Sequence, residues 1–385
     1  MSGATAGQAT SELTAAEQLK FGLLASGIAI APNAQDYIDR QNDGRPMTPA
    51  DYASTSGIIL ALDDGVWVNA PIDRYNPNFV SRDAFVLDLD AGGKLRVQGE
   101  GLESAARFWL PPAYHGQSNA AGEPFNSYAH THGDRVRIAP IEGCAMACHF
   151  CNLPYEFRYR RKSVAGLVES VAVAASDPVQ PAHHVLISGG TPRAEDFEYV
   201  QEVYEAVAAG FPHLRVDVMM VPADGLLDVA WLNQIGIAEI SINLEIFNRD
   251  IARRIMRRKA DQGVDRYLDF LEDAAETMGP GRVRSMLMVG LEPIEDTLAG
   301  VEAIAARGCL PVLSPFRPDP ATPMASAPAP DRRQFEEAYL RGREIADAHG
   351  IALGPNCVPC THNTLTLAAK GSGEAEGCNG WPVLV

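Results

Sequence analysis

The chain has 385 residues, enough to bury a large core in one barrel with extensions or in about two domains. Its formal net charge of −17, with 46 % hydrophobic and 21 % charged residues, fits a globular protein and argues against a nucleic-acid or anionic-membrane partner. The opening "MSGATAGQATSELTAAEQ" has no cationic lead, and the apolar stretch Phe21–Pro32 is too short to span a bilayer, so a cytoplasmic chain with reduced thiols is expected.

Thr14-Ala-Ala-Glu17 has the form of a capping box and predicts a short helix stopped by Gly27. Two hairpins follow, one pivoting on Asp64-Gly65 and one on Gly92-Gly93, each flanked by strand-forming residues. The first 133 residues therefore read as a partly β accessory region, with Pro111–Gly133 as the connection out of it. From Asp134 short apolar runs alternate with amphipathic stretches about six times: "RVRIAPIE", "HHVLISGG", "RVDVMMVP", "AEISINLEI", "RVRSMLMVGLE" and "CLPVLSPFRP". Such alternation predicts a parallel sheet wrapped by helices, spanning 134–325, with active residues at the carboxyl ends of its strands. Residues 326–385 read as one more helix and a tail bearing Cys357, Cys360 and Cys378. The cationic run Arg253–Lys259 reads either as a solvated helix face or as a local anion site.

Three of the seven cysteines, Cys144, Cys148 and Cys151, fall within eight residues. An odd number of clustered thiols in a reducing compartment indicates metal or redox chemistry rather than a disulfide framework. Three ligands are too few for a closed zinc site, unless His149 or His132 completes one, whereas a cluster of four irons held by three cysteines keeps one iron open.

Cys-x3-Cys-x-aromatic-Cys after the first strand of a βα repeat, with Phe150 at the aromatic position, resembles the radical S-adenosylmethionine (radical SAM) enzymes, in motif style their biotin synthase and hydrogenase-maturase branch. The resemblance covers about Arg135 to Met324 and implies a partial (β/α)6-type TIM barrel, an α/β fold; the β-rich N-terminal region, which lies outside the resemblance, and the cysteine-bearing tail are expected to close over the barrel mouth. It implies that Cys144, Cys148 and Cys151 hold a [4Fe–4S] cluster whose fourth iron takes S-adenosylmethionine (AdoMet), cleaved reductively to a 5′-deoxyadenosyl radical. The residues Ser188, Gly189, Gly190 and Thr191 look like the glycine motif that meets the AdoMet amino group, although a plain turn has the same composition. Asn243 and Glu245 are two apart on the fourth strand, so both should face the interior, where a ribose or neighbouring backbone would satisfy them. Arg258 and Arg266 fall near the places where that branch carries arginines, one facing the AdoMet carboxylate, or are simply exposed; Val289 resembles its adenine-packing position, and Arg317 its sixth-strand exit, there to hold a carboxylate or a structural salt bridge.

The resemblance further implies hydrogen abstraction from a small organic substrate and an electron donor such as flavodoxin or ferredoxin. Peptide modification and sulfur insertion are alternatives within the class, and a non-catalytic iron–sulfur or zinc protein is the alternative outside it. Cys357-x2-Cys360 with Cys378 resembles the auxiliary cluster of GTP-cyclising members; a zinc knuckle with His362, a redox dithiol and a hydrogen-donating cysteine remain as other readings. Cys309 reads as a buried core thiol.

Overall fold

The structure is a computed structural model describing residues 13–367; Cys378 lies outside the described residues. The first helix, α1 (Ala15–Ser26), begins at the expected capping box, where Thr14 N–H donates to the Glu17 carboxylate and Glu17 N–H to the Thr14 hydroxyl, and Gly27 ends it at φ 65°. Five further strands join β1 (Ala29–Ile30) in one sheet: β2 (Gly57–Leu62), β3 (Trp67–Pro71), β4 (Val86–Leu89), β5 (Leu95–Gly99) and β6 (Leu102–Phe108). Their order is β1-β4-β5-β6-β2-β3, and the β2/β3 and β4/β5 hairpins turn where the Asp-Gly and Gly-Gly pairs stand. The helix α2 (Pro32–Gln41) packs on β4.

The second sheet has seven strands: β7 (Ala129–His132), β8 (Arg135–Ile138), β11 (His184–Ile187), β12 (Arg215–Met220), β13 (Glu239–Ile242), β14 (Val283–Val289) and β15 (Leu310–Pro315). From β8 to β15 each strand lies parallel beside its predecessor, which is the curled half-barrel the six βα repeats predict. Around it run α4 (Val164–Ala175), α5 (Phe197–Gly210), α6 (Val229–Gln234), α7 (Arg249–Ile255), α8 (Arg257–Ala260), α9 (Val264–Met278), α10 (Ile294–Ala305) and α11 (Arg332–Ala348). Between β8 and α4, the ladder of β9 (Ile141–Glu142) with β10 (Arg160–Arg161) ties off a loop holding the cysteine triplet and the short α3 (Leu153–Glu156).

The strand β7 was not foreseen; it pairs antiparallel with β8, so the edges of the open barrel are β7 and β15. The N-terminal sheet and the C-terminal segment fill the seam between these edges. Arg317, just past β15, donates to Asn69 O at 3.2 Å on β3 and to Asn363 Oδ1, and Asn78 donates to Pro318 O and Ala325 O, both at 2.9 Å. One apolar core runs through both sheets, and α1 meets α11 with Phe21 and Tyr339 ring centroids 5.5 Å apart.

As far as Leu367, the C-terminal segment runs along the β15 edge rather than over the barrel mouth as expected. Gly354 N–H donates to Pro311 O and Leu365 N–H to Leu313 O, so the segment climbs the β15 edge from its base. Val358 packs with Trp67 and Trp109, and the buried Lys20 ammonium donates to Thr361 O and Thr366 O. These contacts put Cys357 and Cys360 beside Asp134 and His184 at the amino ends of β8 and β11.

Burial without a carboxylate pushes the Lys20 pKa down from 10.5 to about 7. Between those values the unfolded chain binds a proton that the folded chain lacks, so this group's contribution to stability rises with pH. The stability of the native chain relative to Lys20→Met should therefore climb by about 1.4 kcal/mol per pH unit between pH 7 and 10. Denaturant melts at several pH values check this; parallel profiles for the two proteins would remove Lys20 as the cause.

Candidate radical SAM site

The three cysteines follow β8 directly and so sit at the carboxyl face of the barrel. Their loop is shaped from within by left-handed residues, Gly143 at φ 70° and Ala147 at φ 77°. It is shaped from outside by the Ser188–Thr191 turn at the end of β11. Ala145 N–H donates to Thr191 O at 3.0 Å, and the Cys144 sulfur accepts N–H groups from Met146 at 3.3 Å and Thr191 at 3.2 Å. Gly189 takes φ 126°, which only glycine adopts without strain. Gly190 is required for a different reason: a Cβ there would stand 1.6 Å from Gly143 O, so the two backbones touch.

Cys148 is buried, and Cys151 half-buried, in a patch with Phe150, Met256, Leu291 and Phe316. Burial raises both thiols, Cys151 to about 11, so thiolates there need a positive partner such as a metal centre. Among the described residues, the triplet does not converge with His149 or His132 into a single-ion ligand set. Ligands of one tetrahedral ion must converge in this way; ligands of a four-iron cube are spread around its corners. The sulfur set and the close glycine backbone thus fit a cluster better than zinc.

The sequence profile of the radical SAM superfamily matches residues 138–302, from the end of β8 through most of α10. Residues 138–302 are a radical SAM domain. Over 138 residues the chain is 26 % identical to the bacteriochlorophyllide c C-7(1)-hydroxylase of Chlorobaculum limnaeum; this covers 35 % of the chain and about a third (34 %) of that relative's length. Among solved structures, the FeFe-hydrogenase maturase HydG from Carboxydothermus hydrogenoformans is 18 % identical with a TM-score of 0.45, covering 56 % of this chain and 52 % of that one. A radical SAM methyltransferase from Sphaerobacter thermophilus is 15 % identical with a TM-score of 0.45, covering 74 % and 81 %.

Within the radical SAM domain, Asn243 and Glu245 lie past the last residue of β13, and Glu245 takes φ 66°, so strand alternation does not set their direction. Asn243 Oδ1 accepts from the Ser241 hydroxyl at 2.8 Å and from Met286 N–H at 3.3 Å; Glu245 pairs with the buried Lys259 ammonium at 3.0 Å. Lys259 belongs to the cationic run, whose neighbours Arg253 and Arg254 are exposed, so that run is a solvated face except for one inward cation. Arg258 donates to Ala145 O on the cysteine loop, whereas Arg266 donates to Pro222 O at 2.9 Å and pairs with the exposed Asp224. Val289 is buried in the common core, and Phe316 N–H donates to its carbonyl.

Arg317 forms no carboxylate pair among the described residues, and burial lowers its pKa to about 10. The salt-bridge reading of this residue is therefore wrong. Cys309 is fully buried with its thiol donating to Leu271 O at 3.3 Å.

Of the cavity beside the cysteine loop the sequence offered only His132, and that as a metal ligand. A cavity of about 570 Å³ lies where the N-terminal loop 49–56 faces β7, β8 and the exit of β15; Tyr52, His130, His132, Arg137, Asn152 and Asp319 help line it. The Arg137 side chain is exposed toward this cavity, and it has no hydrogen-bond or ion-pair partner among the described residues. Burial, with repulsion from His115 and Arg137, holds His130 down at about 3, and burial, with repulsion from His130 and His115, holds His132 well below its usual value, so both imidazoles are neutral near pH 7. The signal for β7 was present as "YAHTHGDRVRI", a period-two run turning at Gly133-Asp134 into the next strand.

Cys357 and Cys360, expected as an auxiliary cluster or hydrogen donor near the chemistry, lie at the opposite end of the barrel. A four-residue strand such as β8 spans about 13 Å between the two ends.

Proposed function

We propose that the protein is a radical SAM enzyme acting on a small organic substrate that carries an anionic group, held in the 570 Å³ cavity beside the cysteine loop. The observation that carries this reading is the backbone-to-backbone contact of Gly190 with Gly143, because it fixes the glycine turn against the cysteine loop at the carboxyl face. A reduced cluster with AdoMet bound would supply one-electron cleavage of the sulfonium and, through it, hydrogen abstraction from the substrate.

Cys144, Cys148 and Cys151 would hold the irons, and the Thr191 and Met146 amides, which donate to the Cys144 sulfur, would stabilise charge on it. Gly189 and Gly190 keep side chains away from the AdoMet amino end, and Phe150 shields the loop. Asn243 and Glu245 serve the ribose, with Lys259 orienting Glu245. Arg137, which lines the cavity without a carboxylate partner among the described residues, and Arg317, buried without one at the exit of β15, take the anionic groups. A one-electron donor such as flavodoxin or ferredoxin would dock beside Cys151, where Tyr155 and Phe157 are 41 % and 44 % exposed.

Anaerobic incubation with dithionite, AdoMet and carboxylate-bearing candidates deuterated at carbon tests the reading. Deuterium should appear in 5′-deoxyadenosine for the true substrate class. A protein with a full cluster that releases no 5′-deoxyadenosine with any candidate would refute it. Arg137→Met should weaken the response to the anionic substrate 10- to 100-fold, the range of a charge-assisted hydrogen bond, read as KM for the labelled product. A change under about twofold removes Arg137 from the substrate site.

A further inference from the structure

The geometry points to a mononuclear zinc site at the base of the barrel, built by Asp134, His184, Cys357 and Cys360. One donor atom from each lies within 4.8 Å of every other, and three of the four residues are buried while Cys357 is half-buried. Cys357 Sγ is 3.4 Å and Cys360 Sγ 3.8 Å from Asp134 Oδ1, and Cys360 Sγ is 3.5 Å from His184 Nε2. The other ring nitrogen, His184 Nδ1, is 3.6 Å from Asp134 Oδ1.

A tetrahedral zinc with bonds of 2.0–2.3 Å sets its ligand atoms about 3.3–3.8 Å apart. With His184 Nε2 as the ligand, the three contacts Cys357–Asp134, Cys360–Asp134 and Cys360–His184 fall inside that range, and the remaining pairs lie within 4.8 Å. Thiol hydrogen bonds have similar lengths, but pairwise bonding does not require four donors to converge on one point, as these do. A small space of about 10 Å³, bordered by His184, Cys357, Cys360, Arg135 and Arg284, lies beside the four donors and leaves no room there for an organic ligand.

Two thiolates, an imidazole and a carboxylate form a mixed soft and borderline set that selects zinc over magnesium or calcium. Four protein ligands close the coordination shell, so the site is structural and leaves no position for a reacting molecule. Zinc with two thiolates and one carboxylate carries one net negative charge, and Arg135 lines the same small space. The ligands come from Asp134 before β8, the first residue of β11 and the C-terminal segment, so the ion would pin that segment across the barrel base. This placement differs from a cluster shared with Cys378 and from a zinc knuckle using His362, whose Nδ1 is already engaged with Pro359 O at 2.7 Å.

Metal analysis of the full chain, purified anaerobically, tests the assignment. Wild-type protein should hold about one zinc in addition to its iron. The triple variant Cys144→Ser, Cys148→Ser, Cys151→Ser should lose its iron and keep the zinc, and Cys378→Ala should also keep it. The double variant Cys357→Ser, Cys360→Ser should lose the zinc. Should that variant fail to fold, X-ray absorption at the zinc edge of the wild-type protein decides, with two sulfur and two nitrogen or oxygen ligands expected. Iron and sulfide retained by the triple variant, zinc lost with Cys378→Ala, a Cys357–Cys360 disulfide, or less than about one zinc per ten chains would each overturn it.

Discussion

Gly190→Ala should strip the iron–sulfur cluster while the barrel still folds. The methyl group would sit 1.6 Å from Gly143 O and 2.9 Å from Cys144 Cα, both backbone atoms that no rotamer change can move. The cheapest relief is to push the cysteine loop away from the end of β11. That breaks the Ala145–Thr191 hydrogen bond and displaces Cys144, whose sulfur accepts from Thr191 N–H. Overpacking of this kind costs about 1–3 kcal/mol, small beside the stability of a domain but enough to misplace a ligand. Iron content after reconstitution should fall at least fivefold, and circular dichroism should stay close to wild type. Retention of full iron would show that the loop tolerates separation from the glycine turn.

Cys148→Ala should have the larger effect on chemistry. Cys148 is the most enclosed of the three, packed in the apolar patch with Met256, Leu291 and Phe316, so water cannot easily replace its sulfur as a ligand. Loss of one of three protein ligands should remove about four irons per chain and reduce 5′-deoxyadenosine formation to background, at least 1000-fold. Iron at the wild-type level together with unchanged turnover would place the cluster elsewhere. Zinc at the barrel base should remain in this variant, which separates the two metal sites in one measurement.

The parallel half-barrel was legible because each βα unit writes its own local signal, an apolar run followed by an amphipathic helix. The N-terminal helix and hairpins were legible for the same reason: the Thr14/Glu17 box and the Asp64-Gly65 turn act over a few residues. The triplet and the Ser188–Thr191 turn were readable as motifs, although their contact rests on two glycines 47 residues apart, Gly143 and Gly190, which the sequence does not pair.

What was missed depends on long-range placement. The seam-filling role of the N-terminal sheet follows from Arg317 reaching Asn69 and Asn363, neither of which is near it in sequence. The Asp134, His184, Cys357, Cys360 group joins residues up to 226 positions apart, so the local Cys-x2-Cys spacing announced two ligands and concealed the other two. The Asn243/Glu245 pair was read by strand alternation, which fails because Glu245 is in a left-handed conformation beyond the strand end. Arg137 shows a third kind of blindness: an arginine in "RVRI" looks like an ordinary strand residue until the cavity beside it is seen.

The central claim is that Cys144, Cys148 and Cys151 carry a four-iron cluster with one iron open to AdoMet. Electron paramagnetic resonance of the dithionite-reduced protein, with and without AdoMet, tests it most directly. The account predicts a reduced-cluster signal that changes shape when AdoMet is added, followed by release of 5′-deoxyadenosine. A fully loaded cluster whose signal is indifferent to AdoMet, or a triplet found to hold a single zinc, would contradict it.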